Sequence, residues 1–233
     1  MSAMRITTIL AALATAALVA AGCGSDDGGS TDSKDAGPVE VRSVTPPEAD
    51  EDITDDLGAE AKTLGDAGCT FGTYELEDPD HVDTDEDLES KTFPPTSGRH
   101  FDNWAPFGVY DEPIDDGYAV HNLEHGGVAV WFGTEVDDAI RDAITELPEQ
   151  DEKWLIAPRE DLEGLFSAAW GKGLSCPPGA LEKLGPEGTA EGIEAWYGTV
   201  VSTGSEAEKD VPAYAGGMKE PTPERDISTE APF

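Results

Sequence analysis

Basic residues are scarce in this chain. Of 233 residues, 14 are Lys or Arg and 50 are Asp or Glu, so the formal net charge is −36. That balance excludes nucleic acid, or an anionic lipid surface, recognised through a basic face. It singles out no other partner. There is no Gly-rich phosphate loop and no dinucleotide fingerprint, so nucleotide cofactors are not expected. Cysteines number three, and none sits in a C-x-x-C pair. That spacing argues against a thiolate metal centre or a redox pair. Internal repeats are absent. Hydrophobic residues still make up 38% of the chain, enough for the core of one ordinary domain with tails.

A long uncharged run occurs once, from Ile6 to Gly22, directly after Arg5. It is Ala- and Leu-rich, too short for a comfortable span, and followed by acidic sequence. It reads as an export signal over residues 1–22. The run ends Val19-Ala20-Ala21-Gly22-Cys23, which resembles a bacterial lipobox, with Ala20 where Leu is usual. The resemblance implies lipid on Cys23 and anchoring to the outer side of the cell membrane. The alternative is plain secretion after Gly22. Residues 23–56 are rich in Gly, Ser, Asp and Pro and read as a solvated acidic tether. Residues 203–233 read as a disordered acidic tail.

Outside the cytoplasm disulfides persist. With Cys23 lipidated, Cys69 and Cys176 have one intramolecular pairing, closing a loop of roughly 107 residues worth about 4–5 kcal/mol in the chain-entropy model. The competing reading is a thiolate ligand or a catalytic cysteine.

Residues 57–202 carry the folded domain. Val128-Ala129-Val130-Trp131-Phe132 is a short apolar run that reads as a buried strand. Thr134-Glu135-Val136-Asp137 resembles a capping box and predicts a helix start at Thr134. Val136, Ala139, Ile140, Ala143, Ile144 and Leu147 continue it at helical spacing up to Pro148. Trp154–Ala157 predicts a second strand, stopped by Pro158. Leu165–Trp170 predicts a third, antiparallel to its predecessor because the connection is short. Leu181 and Leu184 mark a short helical stretch. Ile193, Trp196, Tyr197 and Val200 mark one face of a last helix. The expected fold is a single small α+β domain, with a mixed, mostly antiparallel sheet and packed helices.

The histidines carry the chemical signal. There are four, His81, His100, His121 and His125, all within one stretch of the domain. His100 ends Phe93-Pro94-Pro95-Thr96-Ser97-Gly98-Arg99-His100. The next two sit in Val120-His121-Asn122-Leu123-Glu124-His125-Gly126-Gly127-Val128. A third stretch is Ala168-Ala169-Trp170-Gly171. These three segments together resemble the bacterial lipoproteins with the domain of unknown function 3105, over about residues 60–200. Arg99 stands where that family tends to have Pro, and Ala168 where it has Thr. The resemblance implies an exported, lipid-anchored domain without an established activity, and its paired cysteines match Cys69 and Cys176.

His121 and His125, four apart, fall on one face of a helix and equally on one face of a strand. Two imidazoles so spaced can bind one divalent ion. His100 can supply a third nitrogen and His81 or Glu124 another ligand, with Glu124 or Ser97 otherwise a supporting contact. Imidazole suits copper or zinc, and affinity order favours copper at an unspecialised nitrogen site. Against this stands an envelope interaction module, with an unknown protein or ligand as partner, whose histidines only hold backbone. A third reading is a metal-dependent hydrolase, since His121-Asn122-Leu123-Glu124-His125 fits H-x-x-E-H. That chemistry needs a long helix, and Gly126-Gly127 with a strand follow at once, so an enzyme is not favoured. Ser97 lacks the frame of a nucleophile elbow.

Asp83, Asp85 and Asp87 invite an EF-hand reading. It fails, because Leu88 stands where the loop needs Gly and Pro94 where it needs Glu. A loose calcium patch is the weaker alternative to a solvated loop. Trp104, Phe107, Tyr110 and Tyr118 read as core and loop packing, or else as a binding groove.

Overall fold

The computed structural model describes residues 38–205 and 222–228. In chain order the elements are α1 (Glu51–Leu57), α2 (Ala59–Ala67), β1 (Thr70–Thr73), β2 (His81–Val82), β3 (His100–Phe101), β4 (Gly108–Val109) and α3 (Asp116–Glu124). There follow β5 (Val128–Phe132), α4 (Asp138–Thr145), β6 (Trp154–Pro158), β7 (Leu165–Ala169), β8 (Lys172–Cys176), α5 (Pro178–Val200) and β9 (Arg225–Asp226). The export signal, Cys23 and the first part of the expected tether lie outside the described residues. No helix among the described residues is long and apolar enough to cross a membrane.

The run Val128–Phe132 is buried along its whole length. A strand apolar on both faces needs cover on both, and the fold supplies it. β5 is central in a seven-stranded sheet of order β1-β8-β7-β5-β6-β4-β9. It pairs in parallel with β6 through the α4 crossover and antiparallel with β7. The pairs β1–β8, β7–β8 and β4–β9 are antiparallel, and β4–β6 is parallel. The sheet is therefore mixed and mostly antiparallel.

Side-chain alternation assigns the two faces. Val128, Val130 and Phe132 pack with Trp154 and Ile156 under α1, α2, α4 and α5, meeting Ile53, Leu64, Ile144 and Trp196. Ala129 and Trp131 point the other way, with Leu155, Ala157 and Phe166. There Val120 and Leu123 of α3 cover them. The histidine-bearing helix thus lies alone on the second face, backed by a fully buried strand. Cys69 and Cys176 form the disulfide and tie the start of β1 to the end of β8.

Several sequence expectations shift. The tether gives way to ordered chain from Arg42, whose amide donates to Asp161 O at 2.8 Å. Glu48 then exchanges backbone hydrogen bonds with Thr73, and α1 buries Ile53 and Leu57. Residues 222–228, inside the expected tail, add β9 to the sheet edge and bury Ile227. The α4 helix starts at Asp138 and not at Thr134. Asp137 caps it, its carboxylate accepting from Ala139 N at 2.9 Å, while the Glu135 carboxylate accepts from Gly164 N instead. The third strand runs antiparallel, yet pairs with β5 and not with its predecessor β6, because β6 already lies between β5 and β4. Gly185, at φ 65°, and Pro186 kink α5, which separates the Leu181 stretch from the Ile193–Val200 stretch as the pattern implied.

Candidate metal centre

Two short elements converge here. β2 and β3 form a parallel two-residue pair in which His81 stands opposite His100. Neighbours in register project to the same side. The pair is held by His100 N donating to Asp80 O at 3.2 Å and Asp102 N to Val82 O at 3.1 Å. The third element is α3, begun by Asp115, whose carboxylate accepts from Gly117 N at 2.9 Å. Gly117 is required by close approach: a Cβ there would lie 2.5 Å from the Phe101 ring. The helix can therefore sit directly on β3. His121 and Glu124, three apart, share its inner face. The helix stops at once. His125 is its C-cap, and Gly126, at φ 77°, turns the chain into β5.

The imidazole rings of His81 and His100 pack edge to face at 4.5 Å, and each lies 4.8 Å from that of His121. One ligand atom each from His81, His100, His121 and Glu124 all fall within 4.8 Å of one another. Glu124 Oε2 is 3.0 Å from His100 Nε2 and 3.6 Å from His81 Nε2. Donors 2.0–2.1 Å from one tetrahedral ion stand about 3.3 Å apart, so the set is close to metal-binding spacing.

Outer contacts orient two of the rings. His100 Nδ1 donates to Gly98 O at 2.8 Å, and His121 Nδ1 to Phe101 O at 2.7 Å. A carbonyl only accepts, so each Nδ1 carries the proton. A hydrogen bond from the outer ring nitrogen to a backbone carbonyl is the usual way a metal-ligating histidine is oriented; here the His121 Nε2 also meets His125 Nε2 at 3.1 Å. His100 is fully buried, and His121 and Glu124 nearly so. His100 Nε2 and Glu124 Oε2 approach without the alignment of a hydrogen bond, and neither has a hydrogen-bond partner among the described residues. Buried polar atoms are seldom left so.

Burial drives the His121 pKa down to about 3 from an ordinary 6.5, outweighing the Phe101 carbonyl, which acts the other way. Its neutral, ligand form therefore prevails at pH 7. Burial alone would raise the Glu124 pKa, but His100, Ser205 and His81 more than offset it, so the carboxyl lies below its usual range. The centre thus holds a carboxylate among imidazole nitrogens.

His125 stands just outside the group of four, its Nε2 3.1 Å from His121 Nε2. Trp104 packs against both rings, at 4.5 Å from His125 and 5.2 Å from His121. Trp170 lies edge-on 6.3 Å from His100. The Ser97 hydroxyl is engaged with backbone. It accepts from Glu77 N at 3.1 Å and ties the 93–100 loop to the segment before β2. Phe107 and Tyr110 are core residues, and Tyr118 packs on Phe101. The acidic stretch 78–89 supplies no second set of converging ligand atoms among the described residues.

Asn122 is a structural residue that the motif concealed. Its side-chain amide accepts from Ala105 N at 3.0 Å and donates to Ala105 O at 2.8 Å. That clamp fixes the loop carrying Trp104. The available signal was a short amide between two histidines on one helix.

No curated protein and no solved structure matches the chain. Residues 81–182 match the family described as protein of unknown function (DUF3105). That span contains every histidine of the chain together with Glu124, so the candidate centre lies wholly within the matched region.

Proposed function

We propose that this protein binds one divalent transition-metal ion, copper or zinc, through His81, His100, His121 and Glu124. We place it outside the cytoplasm, on the membrane, through a lipid on Cys23. The observation that carries the binding reading is the convergence of the four ligand atoms within 4.8 Å. The Nδ1 hydrogen bonds of His100 and His121 support it. Nitrogen-rich donors suit copper and zinc, and the affinity order gives copper the tighter complex. The disulfide is compatible with an oxidising compartment.

A second reading has its own support. His121 and His125 face each other Nε2 to Nε2, and the imidazoles pack against one another and Trp104. Such a stack can brace an interaction surface for an envelope partner without any ion. A hydrolase fits this geometry less well. We read Glu124 as a ligand rather than a base, and the cavities of about 360 and 480 Å³ flanking the 84–101 segment are lined by none of the four donor residues.

The test is elemental analysis and calorimetric titration of the untagged chain with Cu²⁺ and Zn²⁺, beside a His100→Ala/His121→Ala variant. One equivalent bound, and lost in a variant that keeps its circular dichroism, is the expected result. Binding no better than the variant's would leave the interaction module.

A further inference from the structure

The four donors are not held alike. His100 and His121 are buried and fixed through Nδ1 to backbone carbonyls, and Glu124 is buried on α3. The His81 side chain is 36% exposed. Among the described residues it makes no hydrogen bond, only ring contacts with His100 and His121 and the 3.6 Å approach to Glu124. Its strand is two residues long and paired on one side only. The chain on either side is strongly acidic: Asp78 and Asp80 precede it, and Asp83, Asp85, Glu86, Asp87 and Glu89 follow. Nearly all of that stretch is exposed.

Resting on the metal-binding reading, we propose that His81 is an exchangeable ligand and that the centre hands its ion to an acceptor across that side. The three buried donors form a two-histidine, one-carboxylate set that retains the ion when His81 leaves. The step is a ligand substitution without redox change. The bond from the ion to His81 Nε2 breaks, and a bond to an incoming donor forms. The acceptor is a chelating side-chain cluster on another protein. The buried side is closed to it: α3 lies on the sheet, and Trp170 stands behind His100. The acidic margin raises the local concentration of cations at the open side.

The experiment loads the untagged full chain with one equivalent of Zn²⁺. It is then mixed with excess 4-(2-pyridylazo)resorcinol, a chromophoric chelator, in a stopped-flow instrument. For the unaltered chain the transfer rate should rise with chelator concentration, as an incoming ligand requires. His81→Ala should still bind one equivalent, with measurably lower affinity because one of the four donors is gone. It should also release zinc faster. His100→Ala, removing a buried donor, should bind no stoichiometric ion. A rate independent of chelator and unchanged in His81→Ala would overturn the exchange proposal while leaving the binding reading intact. So would a His81→Ala variant as empty as His100→Ala. If the unaltered chain takes up no ion, the binding reading fails and the exchange proposal with it.

Discussion

Glu124 is set by backbone as much as by the donors around it. Ser205 N donates to Glu124 O at 3.0 Å, and Ser202 N to Gly126 O at 2.8 Å, so the chain leaving α5 docks on the end of α3. Gly204 lies in that docked segment, where a Cβ would stand 2.0 Å from Glu124 O and 2.6 Å from Gly126 N. Backbone on both sides cannot yield cheaply. Gly204→Ala should destabilise the fold by about 1–3 kcal/mol, the usual cost of overpacking. It should also weaken zinc binding, because the displaced segment carries Ser205 away from Glu124. Urea midpoints and a zinc titration on the same variant check both. Unchanged affinity would show that the segment does not position Glu124. His121 makes a prediction about acid. Its folded pKa of about 3 lies below the unfolded 6.5, so the unfolded chain takes up the proton first as pH falls. The stability that belongs to the neutral ring is complete above pH 6.5. It is lost progressively towards pH 3, at up to about 1.4 kcal/mol per pH unit. Glu124, also lowered, adds loss in the same direction at more acid pH. The metal-free urea midpoint should fall between pH 7 and pH 5, and His121→Gln should flatten that fall. Equal slopes in the two proteins would contradict the buried neutral ring.

Among the elements, β1 and β8 are joined twice, by ladder and by disulfide. The Cys69–Cys176 bridge closes a separation of 107 residues that includes the whole histidine–glutamate cluster. In the chain-entropy model its removal costs about 4–5 kcal/mol. Cys69→Ser/Cys176→Ser should lose roughly that amount in urea unfolding and keep its zinc stoichiometry while folded, since neither cysteine touches the donors. β5, β6 and β7 were legible in sequence because each is an apolar run long enough to stand out against its turns. The helices α1 and α2 were not, although Ile53, Leu57, Ala61 and Leu64 recur at helical spacing. The acids around Ile53 gave the α1 stretch the composition of a tether, and burial of one narrow stripe overrode composition. β2, β3, β4 and β9 are two residues each, and no periodicity exists in two residues. At the centre, the four histidines were legible by their rarity and neighbours. The choice between Glu124 and His125 was not. It depends on the chain leaving the helix at His125, which turns the fourth position after His121 out of the group and leaves the third inside.

For the molecule as a whole, the far edge of the sheet raises a question of where the folded domain ends. β4 is two residues long, and without β9 it would be an open edge beside the core. The segment 222–228 closes it. Ile227 N donates to Phe107 O at 3.0 Å, Asp151 N to Ile227 O at 2.9 Å, and the Gln150 amide to Ile227 O at 2.9 Å. The Ile227 side chain is buried in the same cluster as Phe107 and Val109. Burial of such a side chain is worth about 1.5–3 kcal/mol. The strap therefore acts as part of the fold, although its composition resembles that of the acidic chain around it. A chain ending at residue 221 should unfold at lower urea by at least that amount. Its zinc binding should change little, because the strap pairs with β4, and the loop between β3 and β4 is clamped independently by Asn122 on Ala105. An Ile227→Asp variant separates side-chain burial from chain length: it keeps every residue and removes the apolar contact. Loss in the truncated chain but not in Ile227→Asp would assign the effect to the backbone ladder alone. No loss in either would return residues 222–228 to the tail and leave β4 as the true edge of the sheet.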